Sequence, residues 1–273
     1  MDKEDLEKLL DTRYDNGADF WATPDGRLGI EKPFSTLSAL LIMSELKVKK
    51  SHEALHGAAE LILQAIREDG RVQISPKGAL YPCHTALAAA ALCRNGYSDD
   101  KRVKKVLAYV LSNRYLDGGW RCNKFSYGRG PETEFSNPGV TLVALDAFRS
   151  AGMHLENKEL DDAVETLLHH WTTKVPTGPC HFGIGSLFMQ VEYPFQRYNL
   201  FYYVYVLSFY EKARKDTRFL EALKMLSKKL DSNNQMVVER PNRKLEKFLI
   251  CRKGEPSVAA TERYLEILRN LSQ

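Results

Sequence analysis

The sequence predicts an all-α fold in which about five helical hairpins, each an outer and an inner helix, close into an α/α toroid. Apolar residues recur at three- and four-residue spacing through most of the chain, as in amphipathic helices. The β-like runs, VQI at 72–74 and MVV at 236–238, are too short to build a sheet. Five prolines introduce apolar runs at similar intervals, which indicates an internal repeat.

Composition places the chain among ordinary globular proteins. Of 273 residues, 44% are hydrophobic and 27% are charged, which is enough for a sizeable core without disulfides. The net charge of +4 is small and the basic residues are dispersed, which argues against nucleic-acid binding. No apolar run reaches the roughly 20 residues of a transmembrane helix, and the charged N-terminus lacks the apolar segment of a secretory signal. We therefore expect a cytoplasmic protein, with cysteines that are thiols or metal ligands rather than disulfides.

The five prolines divide the chain into repeat units. They stand in KPFSTLSALL, YPCHTALAAA, NPGVTLVALD, YPFQRYNLFY and EPSVAATERY, and successive prolines are 49, 56, 56 and 62 residues apart. Proline is favoured at the first position of a helix, where its missing N–H loses no hydrogen bond. We therefore expect one domain, 1–273, with units at about 1–46, 47–96, 97–152, 153–214 and 215–273.

The units share one order of elements. An amphipathic helix, such as DDKRVKKVLAYVLSNR, ends in a turn with Gly or Asn, and a short segment then leads to a more uniformly apolar helix. Amphipathic helices suit an outer layer and apolar helices suit an inner one. The last helix, SVAATERYLEILRN, also resembles an inner helix, which favours a closed ring over an open solenoid with polar caps.

The stretch RYLDGGW, residues 114–120, carries a resemblance to a known family. QxxDGGW at the end of a helix is the repeat signature of squalene cyclases and protein prenyltransferase β subunits; DGGW at 117–120 matches it, while Arg114 replaces the glutamine. The segment from PCHTALAAAALC to DGGWRC resembles one full unit of the prenyltransferase and squalene-oxidase repeat, which occurs in many bacterial proteins. The resemblance implies an α/α toroid of the terpenoid cyclase and protein prenyltransferase superfamily.

The resemblance does not supply the reaction. Squalene-type cyclases protonate their substrate with a DxDD motif, which is absent from this sequence. Protein prenyltransferases bind a catalytic zinc and need a separate α subunit, so a partner subunit is one option that the resemblance implies. We predict a terpenoid cyclase- or prenyltransferase-like protein that binds an amphiphilic, isoprenoid-like ligand in a central cavity. The alternative is a non-catalytic module that binds a ligand or a protein.

Aromatic and basic residues supply the candidate ligand site. The run YPFQRYNLFYYVYVLSFY, 193–210, holds six tyrosines, and aromatic faces attract carbocations. The alternative is an inner helix whose tyrosine hydroxyls are hydrogen-bonded in the core. Inner-helix N-termini gathered at one rim would attract an anionic head group. The predicted ligand-binding residues are Tyr81, Trp120, Arg129, Arg197, Tyr198, Tyr202 and Tyr203, and the candidate catalytic acids are Glu132 and Glu134.

The cysteines suggest a zinc site. Cys83, Cys122, Cys180 and His181 lie before or at the start of inner helices, so we expect them at the same rim of the ring. Sets of Cys and His bind Zn²⁺ tetrahedrally. The alternative is that these cysteines are small buried hydrophobic side chains.

Two further motifs match known metal-binding patterns. HEALH at 52–56 matches HExxH, in which two histidines one helical turn apart bind zinc in metallopeptidases, and this is the second alternative function. DDAVE at 161–165 resembles the DDxxD/E motif that binds Mg²⁺-diphosphate in ionisation-dependent terpene synthases. Its alternative is the first turn of an outer helix, where carboxylates complement the helix dipole.

Overall fold

The computed structural model describes residues 3–122, 134–155, 157–178 and 180–272. Those ranges hold eleven α-helices and no β-strand, only isolated β-bridges, which confirms the predicted all-α class. The helices are α1 (Lys3–Leu10), α2 (Thr36–Glu45), α3 (Glu53–Gln64), α4 (Pro82–Arg94), α5 (Lys101–Ser112), α6 (Pro138–Ser150), α7 (Leu160–Thr173), α8 (Leu200–Leu207), α9 (Glu211–Arg214), α10 (Thr217–Ser227) and α11 (Val258–Leu271).

The chain divides into two compact units, Met1–Asn113 (unit 1) and Arg114–Gln273 (unit 2). In unit 1, α2 packs against α3 and α4, and α4 packs against α5. Most residues of α2 and α4 are buried, as expected for inner helices. Helix α5 buries one face only, formed by Val103, Val106, Leu107 and Val110 at helical spacing.

Unit 2 repeats the alternation of buried and amphipathic helices. Helix α6 packs against α7 and α8, and α8 packs against α10 and α11. Every residue of α8 is buried, whereas α7 and α10 bury one face. Helix α11, which the sequence placed among the inner helices, buries Tyr264 and Ile267 but leaves Leu265 exposed. Charged residues such as Glu262 and Arg269 occupy its remaining face, which therefore stays in solvent.

The five prolines stand either at the first residue of a helix or a few residues before it. Pro82 and Pro138 are the first residues of α4 and α6, as predicted. The other three prolines precede their helices by two to six residues, and in each case a polar side chain closer to the helix accepts the backbone N–H of the third helical residue. These capping residues are Ser35 for α2, Asn199 for α8 and Ser257 for α11.

The DGGW turn of unit 2 is held by polar bonds and close packing. The Asp117 carboxylate accepts hydrogen bonds from the hydroxyl and the backbone N–H of Ser136, the latter at 2.8 Å. Gly118 has a φ of +87°, and a Cβ there would lie 2.4 Å from the Cβ of Asp162 in α7, so only glycine fits. Trp120 is 3% exposed. The turn is therefore a packing joint against α7.

Neighbouring outer helices are joined by the same ionic arrangement in each unit. In unit 1, Asp100 caps α5, and Arg102 donates both to Asp100 and to Glu60 of α3, the latter at 2.9 Å. In unit 2, Arg218 at the start of α10 donates to its own capping carboxylate and to Glu165 of α7 at 2.8 Å. We call each of these an Asp-x-Arg clamp.

No helix within the described ranges is both long and apolar enough to cross a membrane. The predicted repeat boundaries and ring closure stay predictions.

Candidate functional site

Unit 2 contains a cavity of about 570 Å³ beside the C-terminal half of α7, here called the α7 cavity. Carbon atoms form most of its wall. Thr166, His169, His170 and Thr173 face it from α7, at the spacing i, i+3, i+4 and i+7 that puts residues on one side of a helix. The rest of the lining is Asp117, Phe135, Ser136, Pro138, Glu165, Val175 and Thr177.

His170 is fixed in the wall of this cavity. It is 3% exposed, and its Nε2 lies 3.0 Å from the carbonyl oxygen of Val175 while its Nδ1 lies 2.8 Å from the hydroxyl of Tyr198. A carbonyl only accepts hydrogen bonds, so we assign the ring proton to Nε2, and Nδ1 then accepts from Tyr198. Burial lowers the pKa of His170, so the imidazole is neutral near pH 7.

The backbone after α7 returns beneath His170. Lys174 ends the helix in the left-handed conformation, with a φ of +58°. Thr177 and Phe182 then exchange backbone hydrogen bonds of 3.0 and 3.2 Å, which closes a short loop. The ring of Tyr198 packs against Phe182 and Phe188, with centroids 5.8 and 4.8 Å away. An aromatic cluster therefore supports the hydroxyl that bonds to His170.

A second cavity in unit 2, of about 860 Å³, is rich in cationic side chains and is here called the basic pocket. Its cationic lining residues are Arg197, Arg240, Arg243, Lys244 and Lys253, and the others are Gln190, Glu239, Pro241, Asn242 and Glu246. Both oxygens of Glu239 are engaged, one by Lys229 at 2.8 Å and one by the backbone N–H of Val191 at 2.9 Å. The positive charge is thus only partly balanced.

A buried carboxyl group adjoins this pocket. Glu192 is 2% exposed, and its Oε1 lies 3.5 Å from the Nε of Arg197. Among the described residues, none donates a hydrogen bond to this oxygen. Burial raises the pKa of Glu192, and the nearby charges of Arg197 and Arg240 offset part of that rise. The Arg197 side chain itself is half exposed on the pocket.

The predicted tyrosines of the aromatic run are hydrogen-bonded inside unit 2. Tyr202 donates to the buried carboxylate of Asp146 at 2.8 Å, and Tyr203 donates to the carbonyl oxygen of Leu167 at 3.1 Å. Both are nearly inaccessible to solvent. These contacts are those of the alternative interpretation, in which the hydroxyls find partners in the core.

The other predicted ligand residues are dispersed. Arg197 lines the basic pocket, but the described linings of the two cavities hold no other predicted ligand residue. The ring of Trp120 packs against Phe148 with centroids 5.8 Å apart, and that of Tyr81 in unit 1 meets His84 edge-on at 5.2 Å.

Of the two candidate acids, one can be placed. Glu134 is 54% exposed at its side chain and lies 3.9 Å from the guanidinium of Arg121. Glu132, like the predicted ligand residue Arg129, lies outside the described residues.

The predicted zinc ligands differ in their surroundings. In unit 1, Cys83 is half-buried. In unit 2, Cys122 is buried and Cys180 is half-buried. His181 is exposed and has a φ of +51°. None of the cysteines, all of which lie in described ranges, forms a disulfide. Across those ranges, no group of three or more His, Cys, Asp or Glu is arranged to hold a metal ion. Zinc binding stays a prediction.

The HExxH histidines are occupied by other roles. His52 caps α3, and its Nδ1 accepts from the backbone N–H of Ala54 at 3.3 Å. The Nδ1 of His56 lies 3.3 Å from the hydroxyl of Tyr97.

The carboxylates of DDAVE lie in the first turns of α7. Asp161 and Asp162 complement its N-terminus, and Glu165 accepts two hydrogen bonds from the guanidinium of Arg218. Arg218 thereby lowers the pKa of Glu165.

Sequence reasoning missed His170 and most of the basic pocket. The polar face of α7 has helical spacing, but the solvent-facing residues of any outer helix have the same spacing, so the sequence does not distinguish a cavity wall from a surface. The cations between Arg240 and Lys253 follow neither a helical nor a strand period, and no local signal marks their convergence.

Comparisons with known proteins give structural likenesses only. No family model and no curated protein matches the chain. The type II terpene cyclase MstE from Scytonema, in its apo form, is similar at 14% identity and a TM-score of 0.46, covering 98% of this chain and 74% of that one. A variant of MstE in complex with geranylgeranyl dihydroxybenzoate is similar at 15% identity and a TM-score of 0.34, covering 99% of both chains. Another variant, in complex with merosterolic acid A, has 13% identity, a TM-score of 0.32 and the same coverage.

Proposed function

We propose that the protein binds an amphiphilic, isoprenoid-like ligand, and that the α7 cavity receives its apolar part. The observation that carries this proposal is the carbon-rich wall of a cavity of about 570 Å³. Cavities between roughly 300 and 1,000 Å³ with apolar walls and a few fixed polar groups are typical of small-molecule sites.

The charged groups in the wall support an apolar occupant because each has a partner within the protein. Asp117 is hydrogen-bonded to Ser136, and Glu165 is paired with Arg218. His170 is neutral and bonded at both nitrogens. A neutral alkenyl chain can therefore enter without leaving a buried charge unpaired, which is the main penalty that such a cavity could impose.

The polar end of the ligand would be bound where the cavity meets solvent. His169 and Thr173 are exposed lining residues of α7, one helical turn apart on the same face. An imidazole and a hydroxyl can both donate to and accept from a ligand alcohol or carboxylate.

Filling the cavity tests the proposal. Equilibrium dialysis with tritiated geranylgeraniol, a neutral isoprenoid alcohol, measures binding without an optical signal. Thr173→Trp puts an indole into the cavity and is expected to weaken binding by about tenfold or more, since it removes the apolar contact area of the ligand. Thr172→Trp is the matched control, because Thr172 is an exposed neighbour on α7 that does not line the cavity.

The comparison of the two variants is decisive in either direction. Far-UV circular dichroism and a urea midpoint establish that both variants are folded. No saturable binding by the unmodified protein, or equal binding by Thr173→Trp and Thr172→Trp, would overturn the proposal.

A further inference from the structure

The basic pocket gathers more cationic than anionic side chains, although Arg197 lies 3.5 Å from the buried carboxyl group of Glu192. Five cationic side chains line it against two carboxylates, and one of these, Glu239, is already paired with Lys229, which is not part of the lining. Within the described part of the chain, no carboxylate oxygen lies within 4 Å of the side-chain nitrogens of Arg243 or Lys253.

Several arginines elsewhere in unit 2 have a close carboxylate partner. Arg218 and Arg149 each have a carboxylate oxygen within 2.8 Å, and Arg114 has one at 2.7 Å. Arg243 and Lys253 of the basic pocket have no such partner among the described residues. Like charges that converge in a concave surface repel one another and raise the local concentration of anions.

The backbone holds this wall in place. The carbonyl oxygen of Val191 accepts from the N–H groups of Glu239 and Arg240 at 3.0 and 3.1 Å. The N–H of Gly254 donates to Val238 at 2.8 Å, which joins the segment carrying Lys253 to the segment carrying Arg240. A site whose framework is already ordered binds with a smaller loss of conformational entropy.

Side-chain bonds fix the remaining wall. Asn242 donates to the side-chain oxygen of Gln196 at 2.9 Å and caps the 3₁₀ helix Arg243–Leu245. The amide nitrogen of Gln196 is buried and has no hydrogen-bond acceptor among the described residues.

We propose that the basic pocket binds a small, multiply charged anion that carries phosphate or carboxylate groups. Guanidinium groups match both chemistries through paired hydrogen bonds. The volume of about 860 Å³ exceeds the need of a single phosphate and suits two or more anionic groups. The pocket shares no lining residue with the α7 cavity, so this site goes beyond the proposed function and stands independently of it.

Isothermal titration calorimetry with inorganic diphosphate and with citrate tests the site and separates the two chemistries. The double variant Arg243→Gln/Lys253→Gln is expected to weaken binding by about tenfold or more, because it removes two charge-assisted contacts. Arg252→Gln is the matched control: Arg252 lies between them in sequence, is paired with Glu255 at 3.8 Å and does not line the pocket. It is expected to change affinity by less than about twofold.

Each outcome has a defined meaning. Diphosphate bound more tightly than citrate supports a phosphate ligand, and the reverse supports a polycarboxylate. No heat of binding for either anion, or equal losses in the double variant and in Arg252→Gln, overturns the proposal. If the double variant does not fold, Lys253→Gln alone is measured. It is expected to lose less affinity for the anion than the double variant would, and an unchanged affinity counts against the site. The double variant is expected to bind geranylgeraniol as the unmodified protein does. This control separates the test of the basic pocket from that of the α7 cavity.

Discussion

Replacing Gly118 by alanine tests the packing of the DGGW turn more directly than any other single change. Two effects add at this position. The φ of +87° is one that a residue with a Cβ adopts at a loss of roughly 1–2 kcal/mol. The new Cβ would also lie 2.4 Å from the Cβ of Asp162 and 2.8 Å from its backbone carbonyl carbon. The backbone of a helix cannot move aside as a flexible side chain can, and overpacking of this kind costs about 1–3 kcal/mol.

Gly152→Ala separates the two effects. Gly152 has a φ of +74°, but a Cβ there would have no atom within 4 Å. We expect Gly152→Ala to lower the free energy of unfolding by about 1–2 kcal/mol and Gly118→Ala to lower it by about 2–5 kcal/mol. The difference between the two variants isolates the steric contact with α7.

Urea unfolding followed by far-UV circular dichroism measures both variants. The slope of the unfolding free energy against urea concentration must be the same for Gly118→Ala and Gly152→Ala before their free energies of unfolding are compared. If Gly118→Ala is no less stable than Gly152→Ala, the turn does not pack tightly on α7, and its interpretation as a packing joint against α7 fails.

Two further predictions concern buried polar groups of unit 2. Burial lowers the pKa of His170, so the unfolded chain takes up a proton first below about pH 6.5, and stability is expected to fall as pH falls through that range. His170→Gln should make this decline shallower in urea titrations at several pH values; an identical decline would contradict it. Tyr202→Phe should lower the free energy of unfolding by about 1.5–3 kcal/mol and Tyr203→Phe by about 0.5–1.5 kcal/mol, because only Tyr202 donates to a charged acceptor. Chemical denaturation that gives the reverse order would refute this reasoning.

Local pattern was sufficient to predict most helices. The spacing of apolar residues identified both buried and amphipathic helices, and Pro82 and Pro138 begin α4 and α6 as expected. The aromatic run 193–210 shows the limit of local pattern, because only Leu200–Leu207 is helical there. Asn199 begins that helix by capping it, and composition alone does not reveal which polar residue takes that role.

The sites were harder to predict because they depend on contacts far apart in sequence. The acceptor of the Tyr202 hydroxyl, Asp146, is 56 residues away, so the sequence could not show that this tyrosine is satisfied in the core. Of the residues assigned to a ligand, Arg197 does line a cavity. Its cationic neighbours come from a later segment that carries no periodic signal, and a loop brings them together.

The Asp-x-Arg clamps make each unit a control for the other. Arg102 and Arg218 have the same kinds of partner, a capping aspartate and a glutamate of the preceding outer helix, although they belong to different units. Truncation to glutamine removes the same bonds at either position, so the chemical change is held constant while its location varies. A difference between the two variants then reports how cooperatively each unit unfolds, once allowance is made for Lys212, which lies 3.5 Å from Glu165 and has no counterpart beside Glu60 among the described residues of unit 1. The protein thus contains an internal duplicate with which to ask whether its halves melt together or in succession.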